Sequence, residues 1–173
     1  MMKVVAIVGS KKSGKTTTIE ALTRELTRKG YKIAAVKHIP ERNFTIDTKG
    51  KDTWRFAKAG AKTIISVASD EIATIEKIDE DKFSLEKIFR KCKGNDIILL
   101  EGFKEIISKK KSVQKVVVVK SEKETLEALR SFEPILAFTG PYSTENLKLE
   151  IPYVNVLKNP EKIGEIVVEE MMT

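Results

Sequence analysis

Apolar residues along this chain recur with two alternating periods, and the alternation predicts an architecture. Residues 3–8 (KVVAIV), 96–100 (DIILL) and 115–120 (KVVVVK) are short runs, mostly apolar and rich in β-branched side chains. That is the pattern of strands buried on both faces of a parallel sheet. Residues 32–37 (KIAAVK), 135–138 (ILAF) and 153–156 (YVNV) read as further strands. In residues 17–26 the period changes: Ile19, Leu22 and Leu26 share one face at helical spacing. Helices are also expected over 53–59, 85–93, 122–130 and from Pro160 to about residue 170. Ser84 and Ser121 suit N-caps, and Pro160 suits a first helical position. Residues 62–67 and 71–75 read as short strands joined by a hairpin turn at Ser69-Asp70.

Strands alternating with helices imply a three-layer α/β fold, a mostly parallel sheet flanked by helices, here with a small β-hairpin insertion. No Pro-, Gly- or Ser-rich linker divides the chain, so residues 1–173 are expected to form a single domain. The longest stretch without an element is 38–52, and loops of that length in compact domains usually carry function.

One turn carries explicit chemistry. Gly9-Ser10-Lys11-Lys12-Ser13-Gly14-Lys15-Thr16 matches G-x-x-x-x-G-K-[ST] between the first strand and the first helix. In that context the pattern specifies a phosphate-binding loop, and the fold becomes that of a P-loop NTPase. Gly9 and Gly14 allow tight turns in which successive N–H groups, those of Lys12 and Ser13 among them, point at phosphate oxygens. The helix N-terminus at Thr16 and Thr17 adds its partial positive charge. Lys15 can reach the β- and γ-phosphates, and the Thr16 hydroxyl is the expected Mg²⁺ ligand. A nucleoside triphosphate is the predicted ligand.

The strand 96–100 runs into Glu101-Gly102, which puts a carboxylate at the ligand-binding edge of a parallel sheet, where it can hold Mg²⁺ directly or through water. Asp47 and Asp52 lie in the long loop. They suit a nucleotide-sensing switch, or an ordinary polar loop in which Asp52 caps the following helix. His38, the only histidine, follows the second strand, and a hydrogen-bonded structural role competes with a phosphate contact there.

Composition narrows the partners. The chain has 32 Lys and Arg against 25 Asp and Glu, a net charge of +7. Most lysines alternate with glutamates, as on a solvated face. The one uninterrupted run, residues 109–111, has no interleaved aromatics to stack on bases, so nucleic acid is not the expected partner. An anionic small ligand or acidic partner protein accounts for the excess. No apolar run approaches the ~18 residues of a membrane span, and a strand beginning at residue 3 leaves no room for a signal peptide. The single cysteine, Cys92, is expected on a surface helix beside Lys91 and Lys93. A cytoplasmic location is the expectation.

Together these segments resemble the molybdopterin-guanine dinucleotide biosynthesis protein B (MobB) family. The resemblance rests on GSKKSGKTT at 9–17, Val36-Lys37-His38, DTKGKDTWRFAKAGA at 47–61 and DIILLEGFK at 96–104, with a weaker echo at 151–163. The D-x-x-G-K-D loop is more specific than the phosphate loop, which many NTPases share. The resemblance implies a GTP-binding accessory protein of molybdenum cofactor synthesis, acting beside the molybdopterin guanylyltransferase, with molybdopterin itself a further candidate partner. It implies a homodimer, with phosphate and Mg²⁺ held by Lys15, Thr16 and Glu101 and with Asp47 and Asp52 lining the same cleft, and it raises His38 and Lys104 as further functional candidates. The chain departs from that pattern in lacking extra histidines between His38 and Asp47 and in a lysine-rich stretch at 105–114. No N-K-x-D guanine reader is present, and residues 138–141 (FTGP), after a late strand, are the residues placed to border a base. The alternative is a P-loop small-molecule kinase or ATPase. The scattered arginines (24, 28, 42, 55, 90 and 130) argue against a phosphate lid and for weak GTP hydrolysis at most.

Overall fold

The computed structural model describes residues 2–78 and 83–172. It divides into two compact units. The first runs to His38 and resumes at Cys92, and the second is Ile39–Lys91.

In the first unit, β1 (Lys3–Gly9), β2 (Ile33–Lys37), β5 (Ile97–Glu101), β6 (Gln114–Val118) and β7 (Ile135–Thr139) form a five-stranded sheet. The second unit holds β3 (Thr63–Val67) and β4 (Ile72–Glu76). The large sheet has the order β2-β5-β1-β6-β7, with every pairing parallel. β1 is therefore central, which explains why its residues Val5, Ala6, Ile7 and Val8 are all buried. Alternation along the strand splits them between two faces. Val5 and Ile7 pack with Ile97, Leu99, Val116 and Val118 under Leu22 and Leu26 of α1 (Lys15–Arg28) and Ile163 and Val167 of α6 (Pro160–Met172). Each such aliphatic side chain contributes about 1.5–3 kcal/mol by leaving water. Val117 belongs to the opposite face, which carries Ala128 and Phe132 at the end of α5 (Glu122–Ser131). Ser121 caps α5 as expected, its Oγ accepting the Glu124 N–H at 3.2 Å.

In the second unit β3 and β4 pair antiparallel, Val67 opposite Ile72, and the two-residue turn at Ser69-Asp70 is where the sequence places it. Ile64 is buried on β3, the strand beside α2 (Asp52–Lys58), whereas Ile65, Val67 and Ile72 form an exposed apolar face. α3 (Leu85–Lys91) closes the unit, with Ser84 Oγ accepting from Lys87 N at 3.3 Å.

Several expectations need correction. Residues 153–156 are not a strand: Tyr153 makes one isolated bridge to Phe138. The ladder ends because Asn155 Oδ1 accepts the N–H groups of Leu157 (3.1 Å) and Lys158 (3.3 Å), turning the chain away. Asp52 does not cap α2. Lys51 holds that position, and Asp52 is the first helical residue, paired with Arg55 at 3.6 Å. Cys92 is buried just beyond the end of α3 rather than displayed on a surface helix, and burial pushes its thiol pKa up. The short α4 (Lys104–Ile107) fell in a stretch without a predicted element.

Lys115, on β6, is wholly buried. Its Nζ donates to the carbonyls of Lys110 (2.8 Å) and Glu133 (2.5 Å). Burial is the main cause that lowers its pKa from 10.5 to about 8. Between those two values the unfolded chain binds the extra proton, so this group makes stability rise with pH. Urea denaturation should therefore show the wild type gaining on Lys115→Met by about 1 kcal/mol per pH unit from pH 8 towards 10. A constant difference would refute the assignment.

Candidate phosphate-binding site

Gly9 ends the central strand at a place where a side chain has no room. A Cβ there would stand 2.5 Å from the Val118 carbonyl oxygen and 2.8 Å from Ser13 Oγ. The following loop is left-handed at Lys12 (φ 57°) and at Gly14 (φ 102°), which is the N-cap of α1. The Gly14 carbonyl accepts both the N–H (2.9 Å) and the hydroxyl (3.0 Å) of Thr18, locking the first turn. Loop and helix start together form one side of a 370 Å³ cavity lined by residues 11–17 and by Glu101. Lys12, Ser13, Gly14, Lys15, Thr16 and Thr17 are thus gathered with Glu101, although the two regions lie far apart in sequence, while Gly9 shapes the loop from outside that lining.

Glu101 arrives because β5 pairs with β1 in a register that sets it opposite Ile7, and with β2 opposite Lys37. Its Oε2 accepts the Thr16 hydroxyl at 3.3 Å, and its Oε1 lies 3.4 Å from Lys37 Nζ. No group of three or more His, Cys, Asp or Glu side chains among the described residues could hold a metal ion. A hydroxyl and one carboxylate instead match the chemistry of Mg²⁺, which keeps waters and takes the rest of its shell from phosphate oxygens.

Lys15 Nζ donates to the Ser10 carbonyl at 2.6 Å, within its own loop. Burial lowers its pKa most; Lys37 and Lys120 push the same way and Glu101 opposes them. Lys37 and Lys120 are the cations that sequence reasoning left without a role. Lys120 Nζ reaches the Lys11 carbonyl at 3.3 Å and lies 3.7 Å from Glu124. Both follow or end parallel strands at their C-terminal edge, where α/β sheets bind ligands, and that position was the available signal.

Other expected residues have different surroundings. The His38 N–H donates to the Glu101 carbonyl at 2.9 Å, and its ring rests on Phe103 with centroids 5.0 Å apart. Gly102 (φ 84°) is needed there, since a Cβ would come within 3.3 Å of His38. Lys104 begins α4 and lays its ammonium 5.7 Å from the centre of the Phe132 ring. Asp47 and Asp52 belong to the second unit. Asp47 Oδ1 accepts the Thr48 N–H and the Thr53 hydroxyl, each at 2.8 Å, and so fixes its own loop.

Comparison with known proteins places this arrangement. The molybdopterin-guanine dinucleotide biosynthesis adapter protein of Haemophilus influenzae is 34% identical over 104 residues, 59% of this chain and 57% of that protein. A Methanocaldococcus jannaschii relative with the same adapter description is 36% identical over 123 residues, 70% of this chain and 49% of that protein. The chain thus spans about half the length of these two curated relatives. The crystal structure of Bacillus subtilis MobB matches with a TM-score of 0.71 at 27% identity, covering 95% of this chain and 98% of that one. A crystal structure of molybdopterin-guanine biosynthesis protein B gives 0.74 at 22% identity, covering 98% and 99%. The model of the family described as molybdopterin guanine dinucleotide synthesis protein B matches residues 4–140, the span holding both the phosphate loop and Glu101, and the chain belongs to that family, MobB.

Proposed function

We propose that the protein is a GTP-binding adapter in molybdopterin guanine dinucleotide synthesis, holding GTP with Mg²⁺ and presenting it to the guanylyltransferase of the pathway. The observation that carries this reading is the single cavity formed by residues 11–17 and Glu101. Lys15 and the loop N–H groups would take the phosphates, and Thr16 and Glu101 would hold Mg²⁺. When bound, the metal supplies charge neutralisation of the phosphate oxygens. No arginine lines the cavity among the described residues, and unassisted GTPases of this kind turn over at about 10⁻⁴ to 10⁻³ s⁻¹. The adapter role therefore fits better than catalysis of its own. Titration with fluorescent GTP and ATP, with turnover followed over hours, tests this. Binding with turnover far below ~1 s⁻¹ is expected, and fast phosphate transfer to a small acceptor would convert the protein into a kinase.

The adapter reading requires a docking surface. Lysines 109, 110 and 111 with the +7 net charge favour an acidic partner, so association with the guanylyltransferase should weaken as salt rises. The exposed Ile65, Val67 and Ile72 of the hairpin support a homodimer, because a two-stranded hairpin gains stability from a partner surface. Light scattering should give about twice the 19.5 kDa chain mass, falling to one chain mass in Val67→Lys/Ile72→Lys. A wild-type monomer at micromolar concentration would refute the dimer.

A further inference from the structure

The phosphate cavity has a neighbour of opposite character. A 160 Å³ cavity on the other side of residues 13–17 is lined by Val118, Gly140, Pro141, Val156 and Leu157. The two share Ser13, Gly14 and Thr17 as a common wall. At 160 Å³ it is below the about 300–1,000 Å³ of pockets that take a whole drug-sized ligand, so it suits one part of a ligand. A polyanion site joined to a small apolar slot matches the two halves of a nucleotide.

The slot is built rather than incidental. Tyr153 Oη donates to the Gly140 carbonyl at 2.7 Å, and Thr139 Oγ1 accepts the Val156 N–H at 3.3 Å. These bonds tie the end of β7 to the segment opposite. Gly140 (φ 117°) has backbone 2.5 Å from where a Cβ would be, so the turn admits no side chain. On the rim, Leu157 is 72% exposed, an aliphatic side chain that the fold leaves in water. Inside the wall it shares with the phosphate cavity, Ser13 is buried and its Oγ has no partner among the described residues.

Asn155 supplies a polar edge. Asn155 lines the cavity, and its Oδ1 accepts two backbone N–H groups, so Nδ2 is the group its side chain has to offer as a donor. A purine with an oxygen at its 6-position presents an acceptor to such a donor, and a 6-amino purine presents another donor.

We propose that this slot seats the purine base of the nucleotide, with Leu157 covering its face and Asn155 Nδ2 selecting the 6-oxo over the 6-amino purine. The proposal rests on the phosphate-loop reading above and adds the part of the site that chooses the base.

The test compares GTP, ATP and inorganic triphosphate, which has no base, as competitors of a fluorescent guanine nucleotide. Leu157→Ser is a surface change that leaves the fold intact, and it should weaken GTP about tenfold while triphosphate stays within about twofold. Asn155→Asp keeps an oxygen for the turn and offers an acceptor in place of the donor, so the GTP-to-ATP affinity ratio should fall about tenfold or more. If wild type binds triphosphate and GTP but Leu157→Ser leaves GTP unchanged, or weakens both ligands equally, the slot does not hold the base and the phosphate-loop reading survives. An unchanged ratio in Asn155→Asp removes the selection role. If wild type binds neither ligand, both readings fall together.

Discussion

Lys15→Ala is expected to weaken GTP and ATP binding by about ten- to a hundredfold, with the fold intact. A hydrogen bond to a charged group contributes about 1.5–3 kcal/mol, and the Lys15 ammonium is the contact the proposal assigns to the phosphates. The side chain takes no part in the sheet core, and its ammonium donates to the Ser10 carbonyl. Thermal unfolding of the variant should therefore match wild type. Titration with a fluorescent nucleotide reads the loss directly, and wild-type affinity in a folded variant would refute the nucleotide site.

Glu101→Gln should separate metal-dependent from metal-independent binding. The amide keeps the volume and removes the negative charge between Thr16 and Lys37. With Mg²⁺ present the expected loss is about tenfold, and in chelator it is less than about twofold. A second signature follows from Lys15. Glu101 is the main group raising its pKa against burial, so the charge of Lys15 should be lost at lower pH in the variant. The alkaline limb of nucleotide binding then moves down in pH. Equal losses with and without Mg²⁺ would make Glu101 a structural residue.

How much of this was readable in advance depended on the range of the interactions. The central strands announced themselves because burial on both faces leaves an unbroken apolar run, as in residues 97–100. The phosphate loop was legible because its chemistry is local: glycines, lysine and threonine lie within eight positions of one another. Glu101 was legible because a strand's C-terminal edge is a fixed place in a parallel sheet. Residues 153–156 misled because alternation describes a strand, whereas a side-chain amide two residues from the bridge decides where pairing stops. Lys115 was invisible for a related reason: in KVVVVK a lysine at the first position reads as solvated, and only the carbonyls of Lys110, in the preceding turn, and Glu133, 18 residues on, show why it is buried. Lys120, at the other end of the same run, gained its neighbours from the phosphate loop, a contact across 109 positions.

The phosphate loop hangs from β1, the middle strand of five. A loop on an edge strand can open while the rest of its domain persists, so its ligand protects only that edge. Here the backbone that would carry the ligand continues into fully buried residues of the sheet, Ala6 and Ile7, both 0% exposed. Local opening cannot release it cheaply, and occupancy is linked to cooperative unfolding of the whole sheet. Ligand at a hundred times its dissociation constant adds about 2.7 kcal/mol to that transition. The slowest-exchanging amides of β1 would then be the ones that register whether the nucleotide is bound.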